Sequence, residues 1–200
     1  MRHGFGKQVW QDGSIFEGMW SQDLFEGYGR LIHEDGGVYT GNWKEGKADG
    51  QGEFIDKSGL KFNGNWVDDK REGYGEEIYP NQGLYKGQYS NGVKNGKGQF
   101  IWNDGAEFEG DFKQNDINGY GTYTWPDERK YEGSWVNNRM EGKGVFTWKD
   151  GRKYIGEYVC DKKEGYGEFH WPEGYNNMTS GKIYRGNWLN GRQHGFGEMW

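Results

Sequence analysis

Phe16, Tyr39, Phe62, Tyr85, Phe108, Tyr131 and Tyr154 stand 23 residues apart each time. A period this short is one supersecondary unit, which cannot bury an apolar face alone and must stack on its neighbours. With each of these residues as repeat position 1, position 3 is glycine in every copy: Gly18, Gly41, Gly64, Gly87, Gly110, Gly133, Gly156 and, after an insertion, Gly186. Position 5 is always aromatic: Trp20, Trp43, Trp66, Tyr89, Phe112, Trp135, Tyr158 and Trp188. Positions 12 and 14 are glycine throughout, as in Gly50 and Gly52, Gly96 and Gly98, and Gly142 and Gly144. Gly4 and Gly6 fit the same register, so the chain opens inside a repeat. These three positions hold 26 of the 38 glycines. Glycine here is architectural, not the filling of a flexible linker.

Within a repeat, positions 1, 3 and 5 alternate with mostly polar residues, as in Tyr131-Glu132-Gly133-Ser134-Trp135, and positions 12, 14, 16 and 18 repeat the pattern. Period two is the signature of a strand with one covered face. Positions 6–11 carry turn chemistry, including Asn91-Gly92 and Asn190-Gly191, and Asp-Gly joins most copies to the next (Asp12-Gly13, Asp35-Gly36, Asp104-Gly105, Asp150-Gly151). Pro80, Pro126 and Pro172 all fall at position 19, beyond the second strand, where a missing N–H is harmless. Each repeat therefore reads as one hairpin. The predicted fold is all-β: an elongated single-layer antiparallel meander of tandem 23-residue hairpins. In a single layer the rings must cover the backbone themselves, and strand glycines leave them room. Burying a ring contributes roughly 1.5–3 kcal/mol against the roughly 0.5–1 kcal/mol a strand glycine costs.

Tyr131-Glu-Gly-Ser-Trp135 and Gly142-Lys-Gly144-Val-Phe-Thr-Trp148-Lys-Asp-Gly151 resemble the MORN-repeat consensus, and the resemblance runs over nearly the whole chain. It implies a single array over 1–200: a half repeat 1–15, repeats starting at 16, 39, 62, 85, 108, 131 and 154, a protruding insertion at 175–183, and a partial repeat 184–200. Departures are local. Glu77 replaces the apolar residue of position 16, and Asp127-Glu128-Arg129 lacks the turn glycine.

Hydrophobic residues make up only 32% of the chain, but aromatics reach 18% with Trp 11, which disordered chains lack. Net charge of -6 argues against nucleic acid as a partner. A lone Cys160 and the absence of a signal-like start or apolar span point to a cytosolic chain. The Gly-x-Gly pairs have no helix to receive a phosphate, and the histidines and Cys160 do not cluster, so no enzyme activity, metal or cofactor is expected. Bases at positions 9 and 10 (Lys47, Lys70, Arg71, Lys94, Arg139, Lys162, Lys163, Arg192) read as an edge row. The same turns hold at least as many acids, among them Asp23, Glu26, Asp69, Glu72, Glu141, Asp161 and Glu164, so membrane contact is not favoured.

The expected site is the aromatic face: Tyr39, Trp43, Tyr85, Tyr89, Tyr131, Trp135 and Tyr154 from positions 1 and 5, with Trp102, Trp125, Trp148 and Trp171 from position 18. They would line a trough floored by glycines such as Gly41, Gly87 and Gly133, although some of these rings must also serve as core. A long trough suits a partner helix or extended peptide. The unpaired edges of the first and last strands predict an end-to-end homodimer. The family resemblance implies a non-catalytic scaffold in a cytoskeletal or ciliary axonemal assembly, similar to radial spoke head proteins. The alternatives are an accessory segment of a SET methyltransferase or phosphatidylinositol phosphate kinase, or a phospholipid-binding tether.

Overall fold

The computed structural model describes Met1–Trp200 as 17 strands and one short 3-10 turn at Tyr175–Asn177. Packing divides the chain into Met1–Asn103 and Asp104–Trp200. The first unit holds β1 (Gly4–Val9), β2 (Ile15–Ser21), β3 (Leu24–Ile32), β4 (Val38–Lys44), β5 (Lys47–Ile55), β6 (Lys61–Val67), β7 (Lys70–Tyr79), β8 (Gly83–Ser90) and β9 (Val93–Trp102). The second holds β10 (Glu107–Lys113), β11 (Asp116–Thr124), β12 (Lys130–Val136), β13 (Arg139–Thr147), β14 (Lys153–Val159), β15 (Lys162–Trp171), β16 (Lys182–Leu189) and β17 (Arg192–Met199). Within each unit consecutive strands pair antiparallel, giving a single-layer meander of hairpins.

Register explains the glycines. Gly6, Gly18, Gly29, Gly41 and Gly52 lie opposite one another on successive strands, and Gly110, Gly121, Gly133, Gly144 and Gly156 do the same in the second unit. Each unit thus carries a furrow without side chains running across its strands. The position-1 rings lie down in it: a Cβ on Gly18 would come within 2.8 Å of the Phe16 ring, and one on Gly133 within 2.5 Å of the Tyr131 hydroxyl. These rings are the core, and Phe16, Phe62, Tyr85, Phe108, Tyr131 and Tyr154 are fully buried. Position-12 glycines act differently. They sit where the second strand bulges, with φ of +68° at Gly27, +102° at Gly50, +107° at Gly96 and +72° at Gly142, a region that L side chains rarely adopt.

Position-5 rings stand edge-on to the position-1 rings. Trp20 meets Phe16 at 5.2 Å and 81°, and Trp43 meets the same Phe16 from the next repeat at 5.5 Å and 85°. The indole N–H of Trp43 donates to the Gly29 carbonyl at 3.1 Å, and Trp66 and Trp135 donate to Gly52 and Gly121 at 3.2 Å. Tyrosines at position 1 donate instead to the carbonyl of position 4, as from Tyr131 to Ser134 at 3.1 Å. Every buried polar tip so named has its acceptor on the backbone.

The hairpin turns are two-residue loops with positive φ at both positions, the type I′ geometry that matches strand twist. Asn91-Gly92 and Asn190-Gly191 satisfy this readily, but Asp68-Asp69, Asn137-Asn138 and Cys160-Asp161 adopt it too. These turns are held from the preceding repeat. Asp69 accepts from the Ala48 amide at 2.8 Å while its own amide donates to the Ala48 carbonyl at 3.0 Å. Glu26, Glu72, Glu141 and Glu164 accept from the first turn amide of the following repeat at 2.8–3.1 Å. Several of the turn acids that the sequence sets against the basic row are thus the hydrogen-bond acceptors that tie one repeat to the next.

The furrow predicts a sharp contrast between two glycines of the same repeat position. Gly52→Ala must displace the Tyr39 ring, because the new Cβ would lie 2.5 Å from the Tyr39 Cζ. Gly6 has no such ring, and a Cβ there makes an ordinary contact of 3.4 Å with Trp20. Urea unfolding should show Gly52→Ala losing about 3 kcal/mol and Gly6→Ala under about 1 kcal/mol. Equal losses would mean the furrow does not seat the rings.

Candidate functional site

Outside the position-1 and position-5 core, the aromatic face is lined by positions 10, 16 and 18. The two units treat it differently. In the second, position 18 is Trp125, Trp148 and Trp171, and these half-buried rings close over the position-16 rings in a tilted ladder. Trp125–Phe146 is 5.2 Å, Phe146–Trp148 4.5 Å, Trp148–Phe169 5.3 Å and Phe169–Trp171 4.4 Å. In the first unit position 18 is Trp10, His33, Asp56, Tyr79 and Trp102, so the ladder is broken at His33 and Asp56. Without a tryptophan there, a groove of about 540 Å³ opens beside Phe25, Leu31, His33, Trp43, Phe54 and Trp66, and Lys70 and Arg71 also line it.

Of the expected site residues, Tyr39, Trp43, Tyr85, Tyr89, Tyr131, Trp135 and Tyr154 are all buried in the ring core, and only edges of Tyr39 and Trp43 reach the groove. Trp102, Trp125, Trp148 and Trp171 are half-buried. The glycines do not floor the groove, because the position-1 rings lie over them.

Position 10 was missed by the sequence reading, which placed Arg71, Lys94 and Lys163 in a basic edge row. Their parity matches positions 12, 14 and 16, and that was the available signal. Arg71 sits over the Phe62 ring at 4.6 Å and Lys94 over the Tyr79 ring at 4.7 Å. Both serve Glu77, the polar residue at position 16, which is only 3% exposed. Its carboxylate pairs with Arg71, accepts hydrogen bonds from Tyr79 and, at 2.8 Å, from Tyr89, and lies 3.4 Å from the Lys94 ammonium. Burial raises the Glu77 carboxyl, but the Tyr79 hydrogen bond and the charges of Arg71 and Lys94 outweigh it and hold it below its ordinary value. Burial pushes the Lys94 ammonium down, and Glu77 offsets only part of that.

No helix is long and apolar enough to cross a membrane, and no three His, Cys, Asp or Glu side chains gather as a metal site. The face offers rings, aliphatic stems and a few cations: a surface for binding.

The MORN-repeat family model matches residues 1–15, 16–38, 39–61, 62–84, 85–107, 108–128, 131–151, 154–174 and 184–200. The chain belongs to the MORN-repeat family. No curated protein matches it in sequence. Among solved structures it is similar to a mutant of the TCP10 domain of Danio rerio CPAP, at a TM-score of 0.51 and 12% identity over 90% of this chain and 81% of that one. That similarity shows a shared fold. The SAS-4 (dCPAP) TCP domain of Drosophila melanogaster, solved with a proline-rich motif of Ana2 (dSTIL), aligns at a TM-score of 0.44 and 12% identity over 77% of this chain and 90% of that one. In the MORN chain the family's glycine and aromatic positions are furrow, ring core and bulge, and positions 10, 16 and 18 are where its repeats differ from one another on the aromatic face.

Proposed function

We propose that this MORN chain is a non-catalytic interaction scaffold whose first unit takes an extended segment of a protein partner along its aromatic face. The observation that carries the reading is the groove beside Phe25, Trp43, Phe54 and Trp66, open where position 18 lacks its tryptophan. Half-buried Phe25 and Phe54, with the edges of the buried Trp43 and Trp66, give contact area on a sheet at low entropic cost, which is how extended peptides gain affinity without deep pockets. Family membership and the nearly pure repeat layout support a place in a cytoskeletal assembly, with a radial-spoke-like axonemal structure as its specific form. Imaging the endogenous protein in ciliated cells of its source tests that placement; exclusion from the axoneme would remove it.

The binding claim is tested by selecting a random dodecapeptide display library on the purified chain. Phe25 stacks on Phe16 at 3.8 Å and lines the groove; the same repeat position is alanine in the next copy, Ala48, so the hairpin accepts alanine there, and a thermal melt checks that Phe25→Ala remains folded. One class of the selected peptides should seat in the first unit and bind Phe25→Ala at least about tenfold more weakly. Unchanged binding by every selected peptide, or no peptides at all, would overturn the reading.

A further inference from the structure

Lys163 occupies position 10 in the second unit as Lys94 does in the first, and the three rings that face Lys94 each have a counterpart at the same repeat position facing Lys163. Lys94 faces Tyr79, Tyr85 and Phe100 at 4.7, 5.0 and 5.8 Å. Lys163 faces Trp148, Tyr154 and Phe169 at 5.1, 5.0 and 4.6 Å, and Trp188 at 4.7 Å. Each lysine also pairs across the hairpin with a position-5 tyrosine, Lys94 with Tyr89 and Lys163 with Tyr158. The difference lies in the anion. In the first unit the Glu77 carboxylate accepts from the Tyr89 hydroxyl at 2.8 Å and lies 3.4 Å from the Lys94 ammonium. In the second, Phe146 stands at that repeat position. Both groups that a carboxylate serves in the first unit are then left without one: the buried Tyr158 hydroxyl has no hydrogen-bond partner, and no carboxylate lies within ion-pair distance of Lys163.

An ammonium held among four rings keeps some cation–π attraction, but rings do not replace the lost hydration of a charge. Its neighbour Arg152, stacked at 5.4 Å on Trp148 and at 5.0 Å on Tyr175, is already paired with Asp150 at 2.8 Å. Arg152 adds positive potential, and Lys163 is half-buried and not fully enclosed. Consistent with this, burial and then Arg152 lower the Lys163 ammonium to about 8; it stays mostly charged at neutral pH.

We propose that Lys163 is an anchor for an aspartate or glutamate side chain of a protein partner, seated among the aromatic rings of the second unit as Glu77 is seated beside Lys94 in the first. The proposal rests on the reading of the chain as a peptide-binding scaffold and adds the partner's chemistry: an extended segment with an acidic residue beside apolar ones. Trp148, half-buried beside the ammonium, supplies the apolar contact.

The test selects the random dodecapeptide library in parallel on the wild-type chain and on Lys163→Met. Methionine is chosen because Met140 holds the same position one repeat earlier, so the variant keeps its packing, and a thermal melt checks this. Wild-type selection should enrich Asp and Glu, and replacing that acid by its amide in individual peptides should weaken binding at least about tenfold. Lys163→Met should lose both the enrichment and the preference for acid over amide. Peptides recovered without acidic bias, or a bias that survives in Lys163→Met, would overturn the anchor while leaving the scaffold reading intact. Recovery of no peptides at all would overturn both.

Discussion

Trp135→Ala is expected to lower stability by about 3–5 kcal/mol in a urea melt. The ring is buried between neighbours, meeting Tyr131 at 5.1 Å and Phe108 of the preceding repeat at 5.6 Å, both edge-on. Truncation opens a cavity in a core one layer deep, where there is no second sheet to relax into the space. It also strands the Gly121 carbonyl, which receives the indole N–H at 3.2 Å. Trp135→Phe separates the two effects. Phe112 occupies the same repeat position naturally, so phenylalanine fits, and the loss should fall to about 1 kcal/mol, the net value of one hydrogen bond. A loss under about 1 kcal/mol for alanine would show that ring to be dispensable.

Glu77→Gln should cost about 3 kcal/mol, because it removes the one anion with which both Arg71 and Lys94 pair. The amide fits the same space, so packing is not the cause. The Glu77 carboxyl is lowered in the folded state, so its contribution is fully present above its ordinary value of 4.5 and is lost as pH falls through the lowered one. The stability gap between wild type and Glu77→Gln should therefore be constant near neutrality and narrow below about pH 4.5. Restoring the repeat pattern at all three places, with Arg71→Met, Glu77→Phe and Lys94→Ile together, should recover most of the loss, since a buried ionic cluster is seldom more stable than well-packed apolar groups. A triple variant as weak as the single one would mean that the cluster is integral to the fold of β7–β9.

The hairpin architecture was legible in the sequence because two residue types with opposed preferences recur in lockstep. Glycine is tolerated in a strand, and a large ring on a single layer, only when each serves the other. What remained hidden was decided by parity and by neighbours. Lys162 and Lys163 look like a basic pair, yet only Lys162 is exposed; Lys163 points into the rings because position 10 shares their side. The groove was equally hidden, since it follows from what His33 and Asp56 fail to cover and not from any ring that is present. The reverse face was read as mostly polar. Position 17 and the residue before position 1 nonetheless place Val9, Ile15, Ile32, Val38 and Ile55 opposite one another on five successive strands, where the second unit has Thr124, Lys130, Thr147 and Lys153.

The hydrogen bonds that tie repeat to repeat have a consequence for how the chain folds. Within each unit strands pair with their sequence neighbours, and the stabilising side chains span only 14, 19 or 21 residues, as from Trp135 back to Gly121, Glu72 forward to the Asn91 amide and Asp69 back to the Ala48 amide. All-β proteins usually fold slowly because distant segments must find each other, at relative contact orders near 0.16–0.22. Here no such search is needed, and the corresponding figure falls to about 0.1, in the range of helical bundles. Any hairpin can nucleate, and its neighbours can zip onto it in either direction. By the reach of its contacts, this all-β chain should fold with the speed of an α-helical one.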